Sequence, residues 1–187
     1  ITPRVVRHFH MIWQPQISEK SMKKIFTSIV GGFLNVTATH LEVDLDNIST
    51  KMIDASVELY QGLSRQMLPT PDKVHYTYNL RDLSKVVQGI CQITKTHLPS
   101  LDVLLRLWAH ECSRVFRDRL INDLDRGWFD NKCARMIKNG FSKEIKIDDS
   151  LLFGDYLTPP EDKQYQEVTN MDVLLEKLTE YLYEYNL

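Results

Sequence analysis

Apolar positions recur at three- and four-residue spacing along most of this chain, the pattern of amphipathic helices that each bury one stripe. Met22, Ile25, Phe26, Ile29, Val30 and Phe33 predict a first long helix from Glu19 to about Asn35, with Ser18 as its N-cap. Gly31 and Gly32 weaken its last turns. Met52, Ile53, Val57, Leu59, Tyr60 and Leu63 predict a second, opened by Asp46 or Asn47 and running to about Met67. The cluster Pro69-Thr70-Pro71-Asp72 stops it and forms the clearest boundary in the chain. Ahead of both helices, Val5, Val6, Phe9, Met11, Ile12 and Trp13 read as a strand ended by Pro15.

Beyond the boundary the pattern is almost wholly helical. Asn79 is a good N-cap, and Asp82 places a carboxylate where the helix dipole favours one. Leu80, Leu83, Val86, Val87 and Ile90 then form one apolar face of a helix expected to reach about His97. Arg81 falls off that face, near a helix start where unpaired backbone N–H groups and a guanidinium can together meet an anion. Ser100 caps the longest predicted helix, Leu101 to about Asn122, buried through Leu104, Leu105, Trp108, Cys112, Val115, Phe116 and Leu120. A further helix, Asp125 to Lys138, carries Trp128, Phe129, Cys133, Met136 and Ile137, with Gly140 as its expected C-terminal cap. The stretch from Asp148 to Pro160 reads as a loop around Leu151-Leu152-Phe153. Met171 to Tyr185 predicts a last helix with Val173, Leu174, Leu178, Tyr181, Leu182 and Tyr185 turned inward.

A chain of 187 residues with 43% hydrophobic and 26% charged residues is long enough to bury a core. A net charge of −2 gives no electrostatic case for nucleic acid or an anionic membrane. The most apolar run, near Ile25 to Leu34, is too short and too interrupted to span a bilayer. Three cysteines, Cys91, Cys112 and Cys133, are expected as reduced thiols packed like small hydrophobes. The chain opens on Ile1 with no initiator Met or apolar leader, so the expectation is a piece of a larger intracellular protein.

Several chemical motifs fail. No G-x-x-x-x-G-K-[ST] loop occurs, and no apolar strand ends in paired acids, so phosphate cradle and magnesium carboxylate are both missing from the sequence. His110-Glu111 starts like a zinc-protease motif, but Arg114 stands where the second ligand belongs. Glu111 with Arg106, Arg114, Arg117 and Arg119 is expected to be a solvated helix face. His8 and His10 alternate on the expected strand without a nearby acid or thiol, so no metal site is assigned. No serine or cysteine nucleophile pairs with a base. The chain by itself is expected to carry no catalytic residue.

The ordered set of pieces is more specific than any one of them. Pro3-Arg-Val-Val-Arg-His-Phe9, His75-Tyr-Thr-Tyr-Asn-Leu-Arg-Asp-Leu-Ser84, Arg106-Leu-Trp-Ala-His-Glu-Cys-Ser-Arg-Val-Phe-Arg-Asp-Arg-Leu-Ile121, Trp128-Phe129, Leu151-Leu-Phe-Gly-Asp-Tyr156 and Tyr183-Glu-Tyr-Asn186 occur in this order. Together they resemble the dynein heavy chain where its third AAA+ module closes, and the resemblance runs essentially from end to end. Asn79-Leu-Arg-Asp-Leu-Ser84 looks more like axonemal than cytoplasmic forms.

The resemblance implies a mainly α fold. Residues 1–72 would be the C-terminal remnant of an AAA+ large subdomain, one strand plus two helices. Residues 73–187 would be the helical-bundle lid and the linker to the next module. It implies that Arg81 is the lid's nucleotide sensor, and that Arg7, with Arg4 as runner-up, is an arginine finger toward the neighbouring module. ATP or ADP with Mg would be held by the parent module. Implied partners are neighbouring AAA+ modules of one heavy chain and, through the parent, microtubules and dynein light and intermediate chains; nucleic acid and membrane are not expected. The implied location is the ciliary axoneme, with the cytoplasm as alternative. The competing function is a free-standing helical protein-interaction module with no nucleotide role.

Overall fold

A computed structural model describes residues 2–145, 147, 150–159 and 161–186 of the chain. Helix α1, Pro3–Val6, is a single turn; α2, Glu19–Thr37, and α3, Leu45–Gln66, are long and pack along one another. A 3-10 turn at Pro71–Lys73 leads into α4, Leu80–Ile90. Helix α5, Leu101–Cys112, passes directly into a π-helical turn at Ser113–Arg117, and α6 covers Asp123–Phe141. A two-residue antiparallel pair, β1 Phe153–Gly154 and β2 Gln166–Glu167, precedes α7, Met171–Tyr185.

Local chemistry fixes most helix starts. The side chains of Ser18, Asp44, Asn79, Ser100, Asn122 and Asn170 each accept a hydrogen bond from a backbone N–H of the first turn they precede. A single hydrophobic cluster then gathers α2 to α6. Val30 and Leu34 of α2, Met52, Ile53 and Leu63 of α3, Leu83 and Ile90 of α4, Trp108 of α5 and Phe129 of α6 are all buried in it. The cluster crosses the Pro71–Lys73 turn, so the helices before and after that break share one core. The short sheet reaches the same core through Phe153.

Several expected elements differ. The strand across Val5–Trp13 does not form: residues 3–6 make one helical turn, and residues 10–18 have no regular secondary structure. Ile12 and Trp13 are 89% and 85% exposed, so the β-prone pattern finds no partner strand among the described residues. Helix α4 ends at Ile90 rather than His97, where Cys91 leaves the helical run and Lys95–His97 form a separate 3-10 turn. The longest expected helix is broken at Ser113, because Asp118 N–H reaches back to the Ser113 carbonyl, five residues away. Gly140 lies inside α6. The cap is Ser142, at φ 54°, in the left-handed conformation that ends the helix.

Ile25 and Ile29 stay about half exposed on α2. On α7 only Leu174 is buried, and Leu178, Leu182 and Tyr185 face outward. Asp148 and Pro160, the bounds of the expected loop, lie outside the described residues. Among the described residues no helix is long and apolar enough to cross a membrane.

Candidate functional site

The start of α4 is built from both sides. Asn79 and Asp82 form a reciprocal capping box: Asn79 Oδ1 accepts from Asp82 N–H at 3.3 Å, and Asp82 Oδ2 accepts from Asn79 N–H at 3.1 Å. Asp82 is buried, and its charge is met by Arg119, whose Nη2 donates to Oδ1 at 3.0 Å and whose Nη1 donates to Oδ2 at 3.4 Å. Leu83, Val86, Val87 and Ile90 turn into the core as their spacing requires.

Arg81, one residue before Asp82, points away from the core. It is exposed and makes no hydrogen bond or ion pair among the described residues. A guanidinium at the second helical position, beside first-turn N–H groups, is a chemically sound receptor for a phosphate or carboxylate oxygen. Next to it opens a cleft of about 660 Å3, lined by Gln14, Ile17, Tyr60, Arg65, Tyr78 and Leu80 among others. The irregular stretch after α1 therefore forms one wall beside the start of α4.

Arg7 caps the C-terminus of α1, exposed, with its Nε donating to His8 Nε2 at 3.1 Å. Arg4 is also exposed.

The segment leading into α4 is fastened to the chain that follows the π turn. Tyr76 is buried; its hydroxyl donates to Asp125 Oδ2 at 3.0 Å and accepts from Ile121 N–H at 3.0 Å. Lys73 pairs with the same Asp125 carboxylate at 2.6 Å. The ring of Tyr78 contacts both Phe116 and the Arg119 guanidinium, and burial pushes its hydroxyl pKa up to about 12.

The arginines of the long helix are not a solvated face. Arg106 pairs with Glu167 at 2.7 Å, Arg117 with Asp130 at 2.8 Å and Arg119 with Asp82. Glu111 is wholly buried: Arg114 donates to its Oε2 through Nε at 3.0 Å and Nη2 at 2.6 Å, and the Tyr165 hydroxyl donates to Oε1. The expectation of a solvated Glu111 is overturned; the signal that marks it as interior is its place three residues after Trp108 and four before Val115, in phase with the apolar stripe. Arg119 left no such signal, because the π turn shifts the helical phase ahead of it.

His110 sits beside this cluster, with Nδ1 bonded to the Leu151 carbonyl at 3.1 Å and Nε2 3.8 Å from Glu111 Oε1. Burial holds its pKa below the ordinary imidazole value, while the Glu111 carboxylate and the Leu151 carbonyl pull the other way. The unfolded chain therefore takes up this proton at higher pH than the folded one. The stability involved is complete above about pH 6.5 and declines as pH falls below it, by at most about 1.4 kcal/mol per pH unit. Urea melts at about pH 7.5 and 5.5 should show this loss, with His110→Gln losing less between the two. An identical loss in His110→Gln would assign the slope to other groups.

Cys112 and Cys133 are buried and Cys91 is half-buried; all three are free thiols, with pKa values raised by burial. Among the described residues no group of three or more His, Cys, Asp or Glu is placed to hold a metal ion. Arg81, with no partner among the described residues, has the forked, charged donors that suit a phosphate oxygen.

Known proteins are similar to this chain in sequence. A family model described as dynein heavy chain, ATPase lid domain, matches residues 31–126, just over half of the chain. The chain is 36% identical over 202 residues to dynein axonemal heavy chain 1 of Homo sapiens, covering 100% of this chain and 5% of that protein. It is 38% identical over 194 residues to dynein axonemal heavy chain 6 of Homo sapiens, with the same two coverages. Against dynein axonemal heavy chain 3 of Homo sapiens it is 35% identical over 202 residues, again across 100% of this chain and 5% of the relative. The chain belongs to the dynein heavy chain family and contains its ATPase lid domain. It spans only 5% of the length of these relatives.

Proposed function

We propose that this chain is the lid region of a regulatory AAA+ module, the third, in an axonemal dynein microtubule motor, and that Arg81 senses the nucleotide held there. The observation that carries the reading is the state of Arg81: exposed, and without a hydrogen-bond or ion-pair partner among the described residues, at the capped start of α4 in a chain of the dynein lid family. The nucleotide, ATP or ADP, and its Mg would be held by parts of the parent heavy chain outside this sequence, which has no phosphate loop. Arg81 adds a forked, charge-assisted bond to a phosphate oxygen and so draws the lid toward the large subdomain. Arg7, or Arg4, would act as the finger toward the neighbouring module; both are exposed on α1 and its cap, ahead of the irregular stretch. Packing favours drawing the lid from α2 onward rather than from residue 73, since α2 and α3 share their core with α4 to α6 and the family match begins at residue 31.

Neighbouring modules of the same heavy chain are the immediate partners in this reading. Microtubules and the lighter dynein chains act through the parent, in the ciliary axoneme. A free-standing interaction module is the weaker reading, because the similarity to heavy chains covers all of this chain.

Arg81→Ala in the parent motor tests the proposal. Without the guanidinium–phosphate bond, the response of microtubule release to ATP should fall roughly tenfold, the effect of about 1.4 kcal/mol. Hydrolysis elsewhere in the ring should persist, and Arg81→Lys should rescue poorly. The control is Arg135→Ala on α6, exposed and free of ion pairs among the described residues. Equal behaviour of Arg81→Ala and Arg135→Ala would overturn the reading.

A further inference from the structure

We infer that Arg119 is the positioning residue for Arg81, and that the π turn of the long helix is where the orientation of the nucleotide-facing arginine is set. This rests on the reading of Arg81 as a sensor.

The segment His75–Asp82 wraps around one residue. Arg119 donates to the Thr77 carbonyl at 3.0 Å, forks onto both oxygens of Asp82, and lies over the Tyr78 ring at 5.2 Å; its own carbonyl is bonded to His75 Nε2 at 2.9 Å. Every one of these interactions falls on the residues that lead into α4 or cap it. The Arg119 side chain is about one-quarter exposed and that of Asp82 only 6%, so the pair is sheltered from screening.

Two consequences bear on Arg81. Asp82 accepts from Asn79 N–H to close the capping box, so the carboxylate that Arg119 grips is the one that fixes the first turn on which Arg81 stands. Asp82 also puts a negative charge next to a residue meant to meet an anion. Arg119 cancels that charge, so Asp82 does not offset the positive charge of Arg81, which meets no acid among the described residues.

The π turn makes the grip possible. The Asp118 N–H bond to Ser113 O widens the helix by one residue and turns Arg119 toward Asp82, while Arg117 goes to Asp130 of α6. A shift of α6 or of this turn would therefore be transmitted to the start of α4 through named bonds.

The test is a double-mutant cycle in the parent motor, reading the factor by which ATP changes microtubule release. Arg119→Ala should lower that factor about threefold to tenfold, and Arg119→Lys, which keeps the charge but not the fork, should fall between it and wild type. If Arg119 acts through Arg81, the double variant Arg81→Ala/Arg119→Ala is no worse than Arg81→Ala. Thermal melting of each variant identifies any that fails to fold, and the Arg119→Lys arm then carries the cycle. Additive effects, or Arg119 variants that match wild type while Arg81→Ala is impaired, would overturn the positioning role and leave the sensor reading intact. A silent Arg81→Ala would instead remove the sensor reading itself.

Discussion

Replacing Trp108 with alanine is expected to cost about 3–5 kcal/mol. Trp108 is fully buried on α5. Its Nε1 donates to Ser56 Oγ on α3 at 2.8 Å, and that hydroxyl in turn donates to the Met52 carbonyl at 2.8 Å. The substitution therefore removes the largest apolar side chain from the cluster and leaves Ser56 Oγ without its donor. It also cuts a bond that ties helices on opposite sides of the Pro71–Lys73 turn. Against a total stability of about 5–15 kcal/mol, such a loss takes a large share of what holds the chain folded. Urea denaturation followed by circular dichroism measures it. Trp108→Phe should lose less, because most of the apolar volume stays. A loss in Trp108→Ala below about 1 kcal/mol would mean that this face of α5 is not the centre of the core.

Trp108 illustrates what the sequence makes legible. Helical phase is a local property, and it placed Trp108, Phe116, Leu83 and Phe129 inside, as found. Caps are local too, which is why Ser18, Asn79 and Ser100 mark their helix starts without tertiary information. The readings that differ depend on partners distant in sequence. Val5 to Trp13 has the side chains of a strand, but a strand exists only by pairing, and here that stretch is one helical turn followed by irregular chain. Leu178 and Leu182 follow helical spacing on α7, yet spacing says nothing of what lies opposite, and they remain exposed. The arginines from Arg106 to Arg119 read as solvated because charge usually is; each instead meets an acid, three of them on another element.

The same division runs through the candidate site. Arg81 stood out by its place in a capped helix start, and the structure leaves it exposed and unpaired among the described residues. Asp82 could be placed at the dipole-favoured position, but not in the grip of Arg119, 37 residues further along the chain. Whether an arginine is free to meet a ligand depends on which acids are already occupied, and that is settled only by packing.

Gly89→Ala should destabilise the chain by about 3 kcal/mol or more, the reverse of its ordinary effect. In a helix interior, alanine in place of glycine usually stabilises by about 0.4–1 kcal/mol, since it restricts the unfolded chain. Gly89 is helical in α4 and has no positive φ, so backbone conformation raises no objection. Space does. A Cβ at Gly89 would fall 1.9 Å from Glu111 Oε2 and 2.1 Å from Glu111 Cδ. The carboxylate cannot simply swing aside, because Arg114 and Tyr165 hold its two oxygens and the residue is wholly buried. Either α4 moves off α5 or a buried charge loses its partners, and loss of a partner in such a pair typically costs about 3–5 kcal/mol. Glu111→Ala should also destabilise, but Gly89→Ala placed in that background should cost little further, since the methyl then has room. The pair should accordingly be strongly sub-additive in denaturation experiments, by more than about 1 kcal/mol. A neutral or stabilising Gly89→Ala, or additive costs, would show that the carboxylate does not occupy the space that only glycine leaves between α4 and α5.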